Sequence, residues 1–159
     1  STFSALLPDI LEQNPAGLII IASSGFIIGK VRELRKKMPC VMITFDGVPD
    51  IDCVYIDRFG GVYDSIRYLY GKGRRRIVFC ETFRSETGIA VPQDIAVLGF
   101  DDRELAGMLN PPLTTLAQPS AEVGRISAQM LFERISGTQK NTSPENIRVP
   151  MHLVIRNSA

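Results

Sequence analysis

At 159 residues and 45% hydrophobic, the chain is long enough for one sizeable core or two small lobes. Its 18 basic residues against 17 acidic ones leave a net charge of +1, which excludes a global field that draws in nucleic acid. The longest uninterrupted apolar run, Leu18 to Ala22, is too short to span a membrane, and one histidine with no CxxC pair gives a metal site little to build from. No cofactor motif survives scrutiny either. Cys40, Cys53 and Cys80 each sit in an apolar strand-like run, which favours buried thiols in a reducing compartment. No basic-then-apolar leader opens the sequence, so a cytoplasmic setting is expected.

Strand and helix signals then alternate along the chain. GLIIIA (17–22) and CVMITF (40–45) read as continuous apolar strands of the kind buried on both faces of a parallel sheet. Between them, FIIGKVRELRKK (26–37) places Ile27, Val31 and Leu34 at helical spacing, with cations towards its end and Pro39 to stop it. CVYID (53–57) is a shorter strand, followed by a helix over GGVYDSIRYLYGKG (60–73) with Val62, Ile66 and Leu69 on one face. RIVFC (76–80) and DIAVLGF (94–100) are two more buried-type strands. AEVGRISAQMLFERISG (121–137) is an amphipathic helix closed by Gly137. TQKNTSPEN is a loop, and IRVPMHLVI is strand-like, interrupted by Pro150. The alternation predicts a parallel, doubly wound α/β architecture with helices on both faces of the sheets.

One link does not fit. Only 13 residues, ETFRSETGIAVPQ, separate RIVFC from DIAVLGF, where a parallel crossover normally needs a dozen or more residues and usually a full helix. The link is either unusually tight or lacks residues between Cys80 and Gly88, and the second reading is preferred.

The candidate chemistry gathers at strand ends, because ligands of open parallel sheets bind outside the carboxyl ends of the strands. VPQDIAVLGFDD (91–102) ends in Asp101 and Asp102. A carboxylate there can accept hydrogen bonds from two adjacent sugar hydroxyls or from ring N–H groups. Asp101 with Glu104 also has the spacing of a helix capping box, so for Asp101 the two roles stand level, whereas Asp102 reads better as a plain helix cap. ASSGFIIGKV (22–31) has the strand-to-helix context of a phosphate loop, but its first glycine would be Ser24 and its metal-binding Ser/Thr would be Val31. It is better read as a strand-to-helix turn carrying Ser23 and Ser24, either of which could simply cap the helix. GRRRI (73–77) reads as a solvated edge, and His152 as a surface or packing residue. No nucleophile–histidine–carboxylate order appears, so no catalytic residue is assigned.

GFDD followed by PPLTT resembles the effector-binding domain of the lac/galactose repressor family of bacterial transcriptional regulators. AGLIIIASS, MPCVMITFD, VYIDRFGGVYDSIRYLYGKGRRRIVF and LVIRNSA resemble the same family in the same order. The resemblance implies a two-lobed fold like that of periplasmic sugar-binding proteins, with segments missing. It implies an N-terminal lobe over 1–80, a C-terminal lobe over 81–113, a return to the first lobe over 114–148, and a terminal strand of the second over 149–159. It implies a small sugar-like effector in an interlobe cleft, reached by Asp101, Ser23, Thr44 and Gln118. Leu113 to Thr115 would be a linker crossing between lobes. Leu105, Met108 and Leu109 would contribute to a homodimer interface, and operator DNA would be read by a helix-turn-helix headpiece absent from the sequence. Relatives often carry Asp where this chain has Thr44, with Asp46 two further on, and an effector-clamping arginine where residues are missing here. The alternatives are an extracytoplasmic sugar-binding protein of a transporter, built on the same fold, and more remotely an α/β enzyme using the near-phosphate loop.

Overall fold

The computed structural model describes residues 2–80, 89–138 and 143–159. The expected gap between Cys80 and Gly88 falls outside the described residues. The chain divides into two units, 1–56 with 120–149, and 57–119 with 150–159.

The first unit is built on a four-stranded sheet. Its strands are β1 (Leu18–Ile21), β2 (Cys40–Thr44), β3 (Asp52–Asp57) and β7 (Asn146–Pro150), in the order β1-β2-β3-β7. β1, β2 and β3 run parallel, with Leu18 opposite Cys40 and Met42 opposite Cys53. β2 and β3 form because their apolar runs can be buried on both faces: Val41, Met42, Cys53 and Val54 are fully buried. Each such side chain stabilises the fold by roughly 1.5–3 kcal/mol relative to leaving it in water. The expected burial of β1 is not met, with Ile20 buried but Ile19 and Ile21 exposed. Helix α2 (Gly25–Leu34) turns Val31 and Leu34 onto this core. Its backbone continues in tighter turns as far as Met38, until Pro39 ends the run.

One element of this unit departs from the expectations. Helix α1 (Thr2–Glu12) was not anticipated, although Phe3, Leu7 and Leu11, spaced four residues apart, pack on the same core. Helix α5 (Ser120–Ser136) buries Val123, Ser127 and Met130, and Gly137 follows it at φ 65°, the left-handed conformation that ends a helix cleanly. Gly17 lies close against α5, where a Cβ would stand 2.8 Å from Leu131 and 3.0 Å from the Pro39 carbonyl.

The second unit holds α3 (Arg58–Gly71), β4 (Ile77–Phe79), β5 (Ala96–Phe100), α4 (Leu105–Met108), β6 (Thr114–Ala117) and β8 (His152–Val154). The sheet order is β4-β5-β6-β8, with β8 antiparallel to β6 and the other pairings parallel. Leu69, Leu98 and Leu116 are almost wholly buried, and Val97, Ala106 and Leu113 form a further small core beside the turn after β5. His152 lies exposed on β8.

The units redraw the expected domain boundaries. Residues 57–80 belong with the second unit, because α3 starts directly where β3 ends and packs on β6 and β8. Asp57 closes the strand and caps the helix, its carboxylate accepting from the Gly60 backbone N–H at 2.9 Å. Leu113 to Thr115 is not a linker: Thr114 and Thr115 lie in β6, in the middle of the second sheet, and the chain returns to the first unit only after Pro119. The short apolar stretch after two prolines carried no strand signal strong enough to show this.

Candidate functional site

In the second unit the site begins with Gly99. A Cβ there would stand 2.7 Å from Leu113 and 2.8 Å from Thr115, so only glycine lets β5 lie this close to the segment beside it. The chain then passes through two consecutive left-handed residues, Asp101 at φ 73° and Asp102 at φ 46°. Apart from glycine, Asp and Asn enter this region most readily, because their short polar side chains can bond locally.

The two carboxylates take different roles. Asp102 faces its own unit, where its Oδ1 accepts from Thr115 Oγ1 at 2.7 Å and from Arg156 Nη1 at 2.7 Å. Arg156 Nη1 also donates to the Leu113 carbonyl at 2.8 Å, and the Arg156 backbone N–H donates to Thr114 Oγ1 at 3.0 Å. Ser158 continues the seam: its hydroxyl donates to the Val97 carbonyl at 2.7 Å and accepts from the Thr114 N–H at 2.8 Å. The Arg156 guanidinium holds the Asp102 carboxyl below the usual carboxylate range, with Thr115 adding to the effect against the cost of burial. Asp102 therefore does not cap a helix. The residue at the start of α4 is Glu104, which makes no side-chain capping bond, and the expected pairing of Asp101 with Glu104 is not formed.

Asp101 sits differently. Gln118 Nε2 donates to its Oδ1, and the mostly exposed Arg103 reaches its Oδ2 at 3.7 Å. Its side chain remains 29% exposed, so the carboxylate is oriented yet still open to solvent. The structure thus brings Asp101 and Gln118 together.

In the first unit, Ser23 and Thr44 border one hollow of about 250 Å³ beyond the carboxyl ends of β1 and β2, together with Ile28, Phe45, Asp46, Gly47 and Val48. Ser24 is the residue that caps α2, its Oγ accepting from the Ile27 N–H at 3.3 Å, which leaves Ser23 exposed at the rim. Thr44 is only 5% exposed, and its hydroxyl is engaged on both sides. It donates to the Asp46 carbonyl at 2.6 Å and lies 2.7 Å from Cys53 Sγ, whose S–H is then the donor to it. Burial pushes the Cys53 thiol up, and the Cys40 thiol likewise to about 11, so both stay protonated at neutral pH.

Leu105 and Met108 on α4 are 63% and 75% exposed, whereas Leu109 packs against the Val97–Ala106–Leu113 core. Lys30 lies 5.9 Å over the Phe26 ring, a cation–π contact rather than a phosphate cradle. Among the described residues no group of three or more His, Cys, Asp or Glu side chains is arranged to hold a metal ion, and no helix is long and apolar enough to cross a membrane. Sequence reasoning missed Arg156. No local signal marks it, since its partner Asp102 is more than 50 positions away in the chain.

Residues 83–159 match the family described as periplasmic binding protein-like domain. The chain is 35% identical over 96 residues to the ribose operon repressor of Haemophilus influenzae, covering 55% of this chain and 29% of that protein. It is 34% identical over 115 residues to the HTH-type transcriptional regulator CelR of Thermobifida fusca, covering 71% of this chain and 28% of that protein. Its fold matches the solved CelR–cellobiose complex with a TM-score of 0.78 at 20% identity, over 98% of this chain and 69% of that one. A LacI-family regulatory protein from Chloroflexus aggregans matches with a TM-score of 0.79 at 19% identity, over 98% of this chain and 81% of that one. Sequence and fold together support a lac/galactose repressor-family effector-binding domain. The matched stretch spans less than a third of the length of these two curated relatives.

Proposed function

We propose that the chain is the effector-sensing and dimerisation domain of a cytoplasmic bacterial transcriptional regulator, a repressor without enzymatic activity. Its effector is a small sugar-like molecule, bound as in the family at the carboxyl ends of the parallel strands, with Asp101 as the principal acceptor of ligand hydroxyls. The carrying observation is the division of labour at the GFDD turn. Asp102 is consumed by Arg156 and Thr115, while Asp101, held by Gln118, keeps an oriented and solvent-accessible carboxylate. Two neighbours support a sugar: the ribose operon repressor by name, and the solved complex of CelR with cellobiose.

In this reading Ser23 borders a hollow of the first unit, and the exposed Leu105 and Met108, with Leu109 behind them, form part of a homodimer contact. Ligand binding favours one domain arrangement and so alters operator binding by a helix-turn-helix headpiece outside this sequence. The test is a thermal-shift screen of pentoses, hexoses, disaccharides and nucleosides. At least one should raise the melting temperature of the wild type, and Asp101→Ala should remove that shift. If no compound stabilises the protein, or if Asp101→Ala responds as the wild type does, the reading fails.

A further inference from the structure

The amino edge of the second sheet gathers positive charge that no neighbouring carboxylate neutralises. Gly73 follows α3 at φ 85°, a left-handed turn that suits glycine, and the Arg74 N–H donates back to the Leu69 carbonyl at 3.0 Å. Arg74, Arg75 and Arg76 therefore emerge together just ahead of β4. β5 runs parallel to β4, so the residues leading into β5 lie at the same edge, opposite to the GFDD turn. The three arginines border a hollow of about 210 Å³ there, with Pro92, Gln93 and Asp94 among its other walls. Two of the guanidiniums are fixed by carbonyl groups. Arg74 Nη1 donates to the Pro92 carbonyl at 3.1 Å. Arg75 Nη1 donates to the Tyr70 carbonyl at 2.8 Å, and its Cζ lies 3.9 Å from the centroid of the Tyr70 ring. Arg76 is exposed and makes no side-chain hydrogen bond among the described residues. Elsewhere Arg32, Arg125, Arg134 and Arg156 each form a close ion pair with a carboxylate, whereas among the described residues Arg74, Arg75 and Arg76 form none. Asp94 is the one carboxylate among the described residues of the hollow, and its Oδ2 accepts from the Ala90 N–H at 2.9 Å. GRRRI, expected as a solvated edge, keeps Arg75 and Arg76 exposed but gives them a concave setting.

We propose that this hollow is an anion site that takes a phosphate group, held by the Arg75 and Arg76 guanidiniums, with Arg74 fixing its wall. A guanidinium has five N–H donors, and Arg74 and Arg75 each engage the protein through Nη1 alone. The remaining donors suit an oxyanion, because the planar fork matches two oxygens of a phosphate at once. Three cations against one carboxylate leave an excess of two positive charges, which matches the roughly −1.5 to −2 carried by a phosphate monoester at neutral pH. A carboxylate ligand brings one charge and two oxygens, so it satisfies fewer of these donors. Concave walls concentrate the field of the cations, and an Arg75 already held on the Tyr70 ring loses less freedom when an anion binds. A neutral sugar gains little from such a site, so its chemistry is separate from that of the effector. The phosphate group has two sources, a small phosphorylated metabolite or a nucleic-acid backbone, and both present the same oxygens.

The experiment is calorimetric titration of the protein with inorganic phosphate at constant ionic strength, and in parallel with a thymidine oligonucleotide that has no terminal phosphate. Saturable binding is expected, with sodium chloride at the same ionic strength inert. Arg76→Ala should weaken it by about tenfold, the loss of one charge-assisted hydrogen bond. Arg76→Lys should recover only part, because an ammonium lacks the fork. Asp94→Asn should tighten binding several-fold, since its amide oxygen still accepts from the Ala90 N–H while the repelling charge is gone. Arg125→Ala removes a positive charge already paired with Glu122 and should change nothing, as should Asp101→Ala at the opposite edge. If the oligonucleotide binds, loses affinity in Arg76→Ala and weakens steeply with salt, the source is a nucleic-acid backbone. If phosphate binds and the oligonucleotide does not, the source is a small metabolite. The proposal is overturned if neither binds saturably, if Arg76→Ala and Asp94→Asn bind as the wild type does, or if Arg125→Ala loses as much as Arg76→Ala.

Discussion

Two turns at the carboxyl ends of parallel strands solve the same problem with opposite chemistry. After β2, the Thr44 hydroxyl and the Cys53 thiol pin the backbone of Asp46 through neutral groups. After β5, an ion pair between Asp102 and Arg156 pins the backbone beside Asp101. In each turn one polar residue is spent on holding the chain and a carboxylate one or two residues away is left available. Adjacent residues of similar polarity can thus have unrelated roles, and only the tertiary partner tells them apart.

The comparison can be broken most severely at Arg156. Arg156→Ala leaves the Asp102 carboxylate partly buried with Thr115 as its remaining side-chain partner, and removes the bond to the Leu113 carbonyl. The stability loss should be about 2–3 kcal/mol in urea unfolding. Thr44→Val keeps the shape but removes the hydroxyl between the Asp46 carbonyl and the Cys53 thiol, leaving the long 3.9 Å sulfur contact between them, for a loss of about 1 kcal/mol.

Acid separates the two devices. The folded-state value of Asp102 lies below its unfolded value, so its contribution is complete above the usual carboxylate value of about 3.9 and is lost as the pH falls below it. Below about pH 4 the Asp102–Arg156 contribution should fade, so the gap between wild type and Arg156→Ala should narrow there. The gap between wild type and Thr44→Val should stay constant. An unchanged Arg156→Ala gap at pH 3 would mean that packing rather than charge holds the second turn. The smallest effect belongs to Arg103→Ala. Its side chain is 78% exposed and 3.7 Å from Asp101, so its loss should cost under about 0.5 kcal/mol. A larger cost would show Asp101 to be pinned in the manner of Asp102.

Much of this framework was legible in the residues. CVMITF and DIAVLGF announced β2 and β5 because strands buried on both faces must be apolar throughout, whereas GLIIIA and RIVFC gave β1 and β4 without the expected burial, since Ile19, Ile21, Val78 and Phe79 stay exposed. The spacing of Val31 and Leu34 gave α2, and Gly137 the end of α5. What stayed hidden depended on distant partners or on conflicting local signals. Pro8 inside TFSALLPDILE masked a helix whose Phe3, Leu7 and Leu11 are evenly spaced, and tertiary packing supplies what the missing N–H costs. Asp102 reads as a cap from its neighbours and becomes an ion-pair partner only when residues 114–117 and 152–156 are folded beside it. Thr44 reads as a hydroxyl at a strand end, and nothing local reveals that the hydroxyl is already occupied.

The left-handed backbone at Asp101 also shapes how the protein can change by mutation. Substitutions to branched or bulky residues at φ 73° are strained, so they disturb the turn as well as the charge. Asn and Gly tolerate that conformation, and each lies a single nucleotide change away from an aspartate codon. In the proposed role, these two single-step variants would be well folded but deaf to the ligand. A regulator built this way can lose its responsiveness in one step without losing its shape, a change that selection on folding alone would not remove.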